Sequence, residues 1–202
     1  MWANKTYGTP CGETMILEKE PHVSSDVLRK IAEKFWGSGL AVDFSTYDGK
    51  VLAAIKIQDR SYTKDSLILC DWAWPILHTA SPDYVGDPTV ESRVLSAVTG
   101  KEIDEEGLNL VGERIFNLQR AILAKEGHRG RYDDKIPAAF YTMPLKGDEV
   151  NPDCRAPGKE GEIISRKGTV VDRNLFEKMK EEYYGLRGWD VATGFQTAVK
   201  LR

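Results

Sequence analysis

Hydrophobic residues recur at helical spacing after residue 23 and predict the first regular element. Five of them follow steps of one, three and four along one face: Val27, Leu28, Ile31, Ala32 and Phe35. Ser24 or Ser25 can cap the N-terminus of this segment with its hydroxyl oxygen. Gly37 and Gly39 follow it and end it. We predict a helix that packs along one apolar stripe.

The stretch over residues 50–69 contains two apolar clusters separated by a polar step. The clusters occupy residues 51–57 and 67–69, and the step is Gln58-Asp59-Arg60. We interpret this pattern as two helical pieces, one on each side of the step. Short buried strands are the alternative, because apolar runs of this length fit both structures.

Two further helices are predicted over residues 87–127. Asp87-Pro88 favours a helix start, and Gly100 ends a segment with apolar residues Val90, Val94, Leu95 and Val98. The strongest periodicity comes next, behind an acidic first turn at residues 104–106. Its apolar residues step by three and four until Gly127: Leu108, Val111, Ile115, Leu118 and Ile122. This pattern predicts a long core helix.

The remaining sequence predicts two irregular segments and one more helix. Residues 1–22 mix glycine and proline with isolated apolar residues and predict an irregular segment. Residues 128–171 carry four prolines and predict a loop-rich excursion over the surface. Asp172 then caps a last helix that ends near Gly185, with four residues inward: Leu175, Phe176, Met179 and Tyr183. The predicted fold is mainly α, a multihelical single domain over residues 1–202.

Composition narrows the classes of partner. The chain has 202 residues, a formal charge of -3 and a sequence pI near 5.7. Nucleic acid is not expected as a partner, because phosphate binding needs a concentrated basic face. A membrane partner is not expected either, because no apolar stretch approaches the roughly 20 residues that span a bilayer. The first residues have no apolar core behind a basic start, so we expect a cytoplasmic protein.

Three cysteines, Cys11, Cys70 and Cys154, lie far apart in the sequence. An odd number of cysteines without an export signal disfavours a disulfide framework. There is no C-x-x-C pair, so local sequence supplies no complete four-cysteine site. Cys11 and Cys154 lie in segments rich in glycine and proline, where we expect exposed thiols.

The segment from Asp65 to Cys70 carries the candidate chemistry. An acid stands five residues before a cysteine, and the spacer between them is mostly apolar. A cysteine thiolate can ligate iron, and a carboxylate can accept hydrogen bonds from the amino groups of a heterocycle. The alternative is a small buried cysteine in an apolar core.

Asp65 to Cys70 resembles the second Asp-x-x-Gly-Leu-Cys motif of the tungsten-dependent aldehyde ferredoxin oxidoreductase family. Further blocks resemble that family in the same order: GERIFNLQR at 112–120, KEG at 125–127, RYDDKIP at 131–137, and YY, GWD and TG between 183 and 194. The resemblance extends over about residues 50–201. It implies that this chain corresponds to the last helical domain of a protein whose N-terminal domain cradles two pterins.

The resemblance also implies roles for individual residues. Asp65 would bond a pterin, and Cys70 would be the fourth ligand of a [4Fe-4S] cluster. The cluster's other three cysteines, in a C-x-x-C-x-x-x-C arrangement, are not in this sequence. His22 is a candidate for the histidine that moves protons near the metal; a solvated or structural histidine is the alternative. Ile68 stands where the family has glycine, and we expect its branched side chain to avoid positive φ and to fill space near the turn.

The function implied is the C-terminal part, or a split subunit, of an enzyme that oxidises aldehydes to carboxylic acids. Its cofactors would be a tungsten-bis-pterin group and a [4Fe-4S] cluster, neither held stably by this chain alone. Its partners would be an upstream pterin- and cluster-binding domain and, through the complete enzyme, ferredoxin. Related members reduce aromatic acyl thioesters. The alternative is a non-enzymatic helical interaction module, whose exposed apolar face would lead to self-association.

Overall fold

A computed structural model describes residues 24–69, 83–148 and 151–201, and helices dominate them. The α-helices among these residues are α1 (Ser25–Trp36), α2 (Lys50–Ser66), α3 (Val90–Thr99), α4 (Glu105–Lys125), α5 (Ala139–Thr142) and α6 (Arg173–Arg187). Strands β1 (Arg155–Pro157) and β2 (Ile163–Ser165) pair antiparallel, with Arg155 opposite Ser165. The mainly α prediction is confirmed. The predicted loop-rich excursion holds only α5, the two strands and two 3₁₀ turns in its described part.

Helix α1 begins and ends as predicted. The hydroxyl oxygen of Ser24 accepts a hydrogen bond from the N–H of Val27 at 3.3 Å. Gly37 ends the helix in the left-handed region, with φ 79°. All five predicted apolar residues are buried, and with Trp36 they form most of the hydrophobic core. The 3₁₀ turn Gly39–Val42, Ala53 of α2 and Val85 supply the rest of this cluster. The sequence-based interpretation of this element is confirmed.

Helix α2 is one continuous helix, so the prediction of two helical pieces is wrong, as is the strand alternative. The polar step does not break the helix because all three of its side chains have partners on other helices; Gln58 accepts hydrogen bonds from Tyr183 and Arg187 of α6. Asp59 forms an ion pair with Arg187 of α6, and Arg60 forms one with Glu91 of α3. These contacts allow charged residues to occupy a largely buried face.

Helix α3 begins two residues after the predicted start. The carboxylate of Asp87 accepts hydrogen bonds from the N–H and the hydroxyl of Thr89, at 2.9 and 2.7 Å, and closes a turn before the helix. Gly100 ends the helix with φ 70°. The helix buries polar Glu91 rather than its apolar stripe, and Val98 is 79% exposed.

Helix α4 begins at the predicted place, where the carboxylate of Asp104 accepts a hydrogen bond from Gly107 N–H at 2.8 Å. Its predicted core stripe is wrong for most of its members; only Leu108 is buried, and Ile115 is half-buried. Three members of the stripe are exposed: Val111, Leu118 and Ile122. The helix buries instead a narrow face of small and paired polar residues: Gly112, Asn117 and Arg120.

Helix α6 has the predicted cap and extends past Gly185. The carboxylate of Asp172 accepts a hydrogen bond from Leu175 N–H at 2.9 Å, and the helix ends at Gly188, with φ 67°. Of the predicted inward residues, Leu175 is exposed. The helix is anchored at its C-terminal end by Tyr184 and Arg187, which are buried. No helix in the described ranges combines the length and apolarity needed to cross a membrane.

Candidate functional site

The predicted acid Asp65 lies in the last turn of α2, where a tight turn redirects the chain. The N–H of Leu69 donates to the carbonyl oxygen of Lys64 at 2.9 Å, and the N–H of Ile68 donates to that of Asp65 at 3.1 Å. These two bonds define a Schellman motif. The motif fixes the backbone between Asp65 and Leu69, the residue that precedes Cys70 in the sequence.

Ile68 occupies the left-handed position of this motif, with φ 59°. Schellman motifs favour glycine there, because a Cβ atom crowds the backbone in this conformation. We expected the isoleucine to avoid positive φ and to fill space near the turn, and both expectations are wrong. The turn imposes the conformation, and the Ile68 side chain is 92% exposed. The space beside the turn is therefore not filled by this side chain.

Replacing Ile68 with glycine should raise the free energy of unfolding by about 0.5–1 kcal/mol, because glycine adopts positive φ without the strain of a β-branched residue. Val98→Gly is the matched control: Val98 is also exposed and β-branched, but it lies inside α3. It should lower stability by about 1 kcal/mol. Urea unfolding followed by circular dichroism measures both. A loss of stability in Ile68→Gly equal to that in the control would contradict the strained turn.

The Asp65 carboxylate is exposed, and no described residue forms a hydrogen bond or ion pair with it. A carboxylate in the last turn of a helix lies near the negative end of the helix dipole, which disfavours it by about 0.3–1 kcal/mol. Folding stability therefore does not explain an acid at this position. Its oxygens are available to accept hydrogen bonds from the amino groups of a heterocycle, so the residue fits the role implied by the resemblance.

The other predicted site residues, Cys70 and His22, lie outside the described residues, and their roles stay predictions. Within the described ranges, no group of three or more histidine, cysteine, aspartate or glutamate side chains is arranged to hold a metal ion. Cys154 is buried, with 8% exposure, so the expectation of an exposed thiol is wrong.

Helix α2, which ends at the candidate turn, is in close contact with α4. Gly112 of α4 lies so near α2 that a Cβ atom built there would be 1.9 Å from the carbonyl oxygen of Asp59. The hydroxyl of Thr63, two residues before Asp65, donates to the carbonyl oxygen of Leu108 at 3.1 Å. These contacts hold the C-terminal half of α2 against α4.

A buried ion pair joins α2 to α6. Arg187 Nη1 lies 2.6 Å from Asp59 Oδ1, and Arg187 Nη2 donates to Gln58 Oε1 at 3.0 Å. The guanidinium lies 4.6 Å from the ring centroid of Phe116 and has no exposed side-chain surface. Burial raises the pKa of Asp59, and attraction to Arg187 offsets part of that rise. Sequence reasoning missed this pair, and its one signal was the polar step within an apolar stretch.

A second polar network holds the segment after α4. The guanidinium of Arg120 forms two hydrogen bonds with the carboxylate of Asp134, at 2.8 and 2.5 Å, and Tyr184 donates its hydroxyl hydrogen to the same carboxylate at 2.7 Å. Burial favours a higher pKa for Asp134, but the hydrogen bonds from Arg120 and Tyr184 hold that pKa below its usual value. Both charged residues lie in the sequence blocks at 112–120 and 131–137, and both have structural partners.

Comparison with known protein families gives one match that spans most of the chain. A family model described as "Aldehyde ferredoxin oxidoreductase, domains 2 & 3" matches residues 16–202. The match begins at residue 16, whereas the resemblance found in the sequence begins at about residue 50. It contains every described residue, including the Asp65 turn and both buried networks. It also contains His22 and Cys70.

Proposed function

We propose that this chain, which belongs to the aldehyde ferredoxin oxidoreductase family, is the C-terminal helical part or a split subunit of a tungsten-pterin enzyme. The complete enzyme would convert an aldehyde and water into a carboxylic acid and two protons, with two electrons leaving one at a time through a [4Fe-4S] cluster to ferredoxin. This chain would complete the cofactor site of a pterin- and cluster-binding partner. The proposal is supported by the family match and by the exposed Asp65 turn.

Asp65 is the observation that carries the proposal. Its carboxylate is exposed and has no partner among the described residues. It also lies at the C-terminal end of the helix, where the helix dipole disfavours a negative charge. In the proposed role it would accept hydrogen bonds from pterin amino groups and so help to hold the pterin. The Schellman motif contributes rigidity, because its two hydrogen bonds fix the backbone from this acid to Leu69.

The proposed partner also accounts for the apolar surface of α3 and α4. Val98 and Leu118 are 79% and 62% exposed, and Val111 and Ile122 of α4 are exposed too. Apolar stripes on soluble proteins commonly mark interaction sites. We propose that the upstream pterin- and cluster-binding domain or subunit contacts this surface.

Cysteine substitution tests the cluster role. The full chain is reconstituted anaerobically with iron and sulfide, alone and with a polypeptide of the family that carries the pterin domain and the three-cysteine motif. We expect visible absorbance and bound iron only in the mixture, and we expect Cys70→Ser to remove most of both. Cys11→Ser is the matched control and should retain them. A cluster that survives Cys70→Ser, or no cluster in any mixture, would contradict the proposal.

Asp65→Asn tests the pterin role separately. The amide retains the size of the side chain but removes the negative charge and one acceptor, so we expect pterin content to fall by about tenfold, the loss of a charge-assisted hydrogen bond. The free energy of unfolding should stay the same or rise by a few tenths of a kcal/mol, because the helix dipole no longer opposes a charge. Asp48→Asn, an acid outside α2, is the control. Equal pterin content in both variants would exclude the assigned role.

A non-enzymatic interaction module is the second candidate, and the exposed apolar surface of α3 and α4 favours it. Such a module would self-associate or bind another protein through that surface, with no need of Cys70. Sedimentation of the full chain, with and without Leu118→Gln, distinguishes the two. Self-association abolished by Leu118→Gln, together with a cluster result independent of Cys70, would establish the module.

A further inference from the structure

A cavity of about 610 Å³ that the family resemblance does not assign lies between the loop-rich region and α6. It is formed by 3₁₀ turn Gly130–Tyr132, the segment leading into α5 and the first half of α6. Its volume lies within the range of about 300–1,000 Å³ that is usual for small-molecule sites. It is separate in sequence from the Asp65 turn.

Charge distinguishes this cavity from the rest of the protein. Four positive side chains line it, and Glu177 is the one acidic residue in the lining, which gives a formal charge of +3. The cations are Arg131, Lys135, Arg173 and Lys180. The whole chain has a formal charge of -3. The cavity therefore concentrates positive charge on an otherwise acidic protein, and a concave site of one sign attracts ions of the other.

Two of the cations are already neutralised by the protein. Glu177 bridges them, with carboxylate oxygens 2.9 Å from Arg131 Nη2 and 2.9 Å from Lys180 Nζ. Arg131 also pairs with Glu181, which lies outside the lining. Burial favours a higher pKa for Glu177, but hydrogen bonds from Lys180 and Arg131 hold that pKa below its usual value. The carboxylate is thus ionised and fixes these two cations in place.

The other two cations have no carboxylate within 4.0 Å among the described residues, and aromatic rings hold them instead. Lys135 Nζ lies 3.7 Å from the ring centroid of Tyr132. Arg173 Cζ lies 4.1 Å from the ring centroid of Tyr141. A cation over a ring face loses mobility but keeps hydrogen-bond donors for another acceptor. The cavity therefore presents two positioned and unneutralised cations beside two aromatic rings.

We propose that this cavity binds a small organic anion with two or more negative charges, carried by phosphate or carboxylate groups. Arg173 and Lys135 would bind the charged groups directly, since a guanidinium fork and an ammonium group both suit these oxygens. The tyrosine rings and Ile136 would contact the ligand's uncharged part. Arg131, Lys180 and Glu177 would support the site by holding the walls of the cavity in place.

Calorimetric titration of the full chain tests the proposal with four named probes: inorganic phosphate, pyrophosphate, ADP and citrate. We expect the multivalent probes to bind more tightly than phosphate. Preference for pyrophosphate and ADP would identify the ligand as an organic phosphate, and preference for citrate would identify a polycarboxylate. Both results support a polyanion site. Absence of binding by all four probes would overturn it.

Variants separate this site from general charge attraction. Lys135→Gln and Arg173→Gln, singly and together, remove the two unneutralised cations without breaking an ion pair. We expect each to weaken binding of the best probe by about tenfold, the loss of one charge-assisted hydrogen bond. Lys101→Gln combined with Lys178→Gln changes the net charge equally outside the lining and should retain affinity. Equal weakening by the control pair would overturn the proposal, as would binding of polyglutamate but none of the small anions.

Discussion

Replacing Gly112 with alanine should lower the free energy of unfolding by about 3 kcal/mol, because the added methyl group has no room between α2 and α4. Its carbon would lie 1.9 Å from the carbonyl oxygen of Asp59 and 2.4 Å from the hydroxyl oxygen of Thr63. Relief would require the two helices to separate. The separation would also lengthen the hydrogen bond from Thr63 to Leu108 and disturb the ion pair between Asp59 and Arg187.

Gly185→Ala is the matched control for this substitution. Gly185 also lies within a helix, α6, but beyond its own helix backbone and chain neighbours no heavy atom of the described residues lies within 4 Å of the position its Cβ would take. Alanine there should raise the free energy of unfolding by about 0.5–1 kcal/mol, because it stiffens the unfolded chain and favours the helix. Urea unfolding followed by circular dichroism compares the two variants. A change below 1 kcal/mol in Gly112→Ala would show that the helices are not in close contact.

The contact at Gly112 illustrates what apolar periodicity predicts and what it misses. Spacing and caps correctly placed helices around Ser24, Asp104 and Asp172, because these signals act within one or two turns of the chain. The buried face of α4 was predicted wrongly, because it is made of a glycine and of polar residues whose partners are distant in sequence. From sequence alone, a glycine within a helix predicts only lower helix stability. Only its neighbours show that it permits close packing.

At the Asp65 turn, too, the sequence predicted one feature of the candidate site correctly and another wrongly. The acid could be found from its motif, and the left-handed backbone at Ile68 explains why glycine belongs at that place in the motif. The residue type alone suggested the opposite conformation, because local preference disfavours positive φ in isoleucine. The turn's two hydrogen bonds outweigh that preference. The cationic cavity had no local signal, since its residues come from separate segments and include cations that also suit a solvated surface.

The Arg187→Met variant should lose about 3–5 kcal/mol of unfolding free energy, because it leaves the carboxylate of Asp59 buried without its cation. Asp59 is 8% exposed and Arg187 is 1% exposed, so solvent cannot replace the lost partner. Methionine keeps most of the side-chain volume, which isolates the charge effect from cavity formation. Arg93→Met is the control, because its ion pair with Asp87 is largely exposed. It should cost less than about 1 kcal/mol.

The loss of unfolding free energy in Arg187→Met should depend on pH, because it arises from the ionised carboxylate of Asp59. Burial already raises the pKa of Asp59 in the folded protein, and removal of Arg187 should raise it further, because the attraction that opposes the rise is gone. A carboxyl group with a raised folded pKa opposes folding when ionised, and that penalty disappears as pH falls and the group becomes protonated. The stability difference between Arg187→Met and the unsubstituted protein should therefore narrow as pH falls towards the ordinary range of aspartate. Asp59→Asn, Arg187→Met should recover part of the loss near neutral pH. A stability difference that is independent of pH and unchanged in the double variant would show that lost packing, rather than an uncompensated charge, causes the effect.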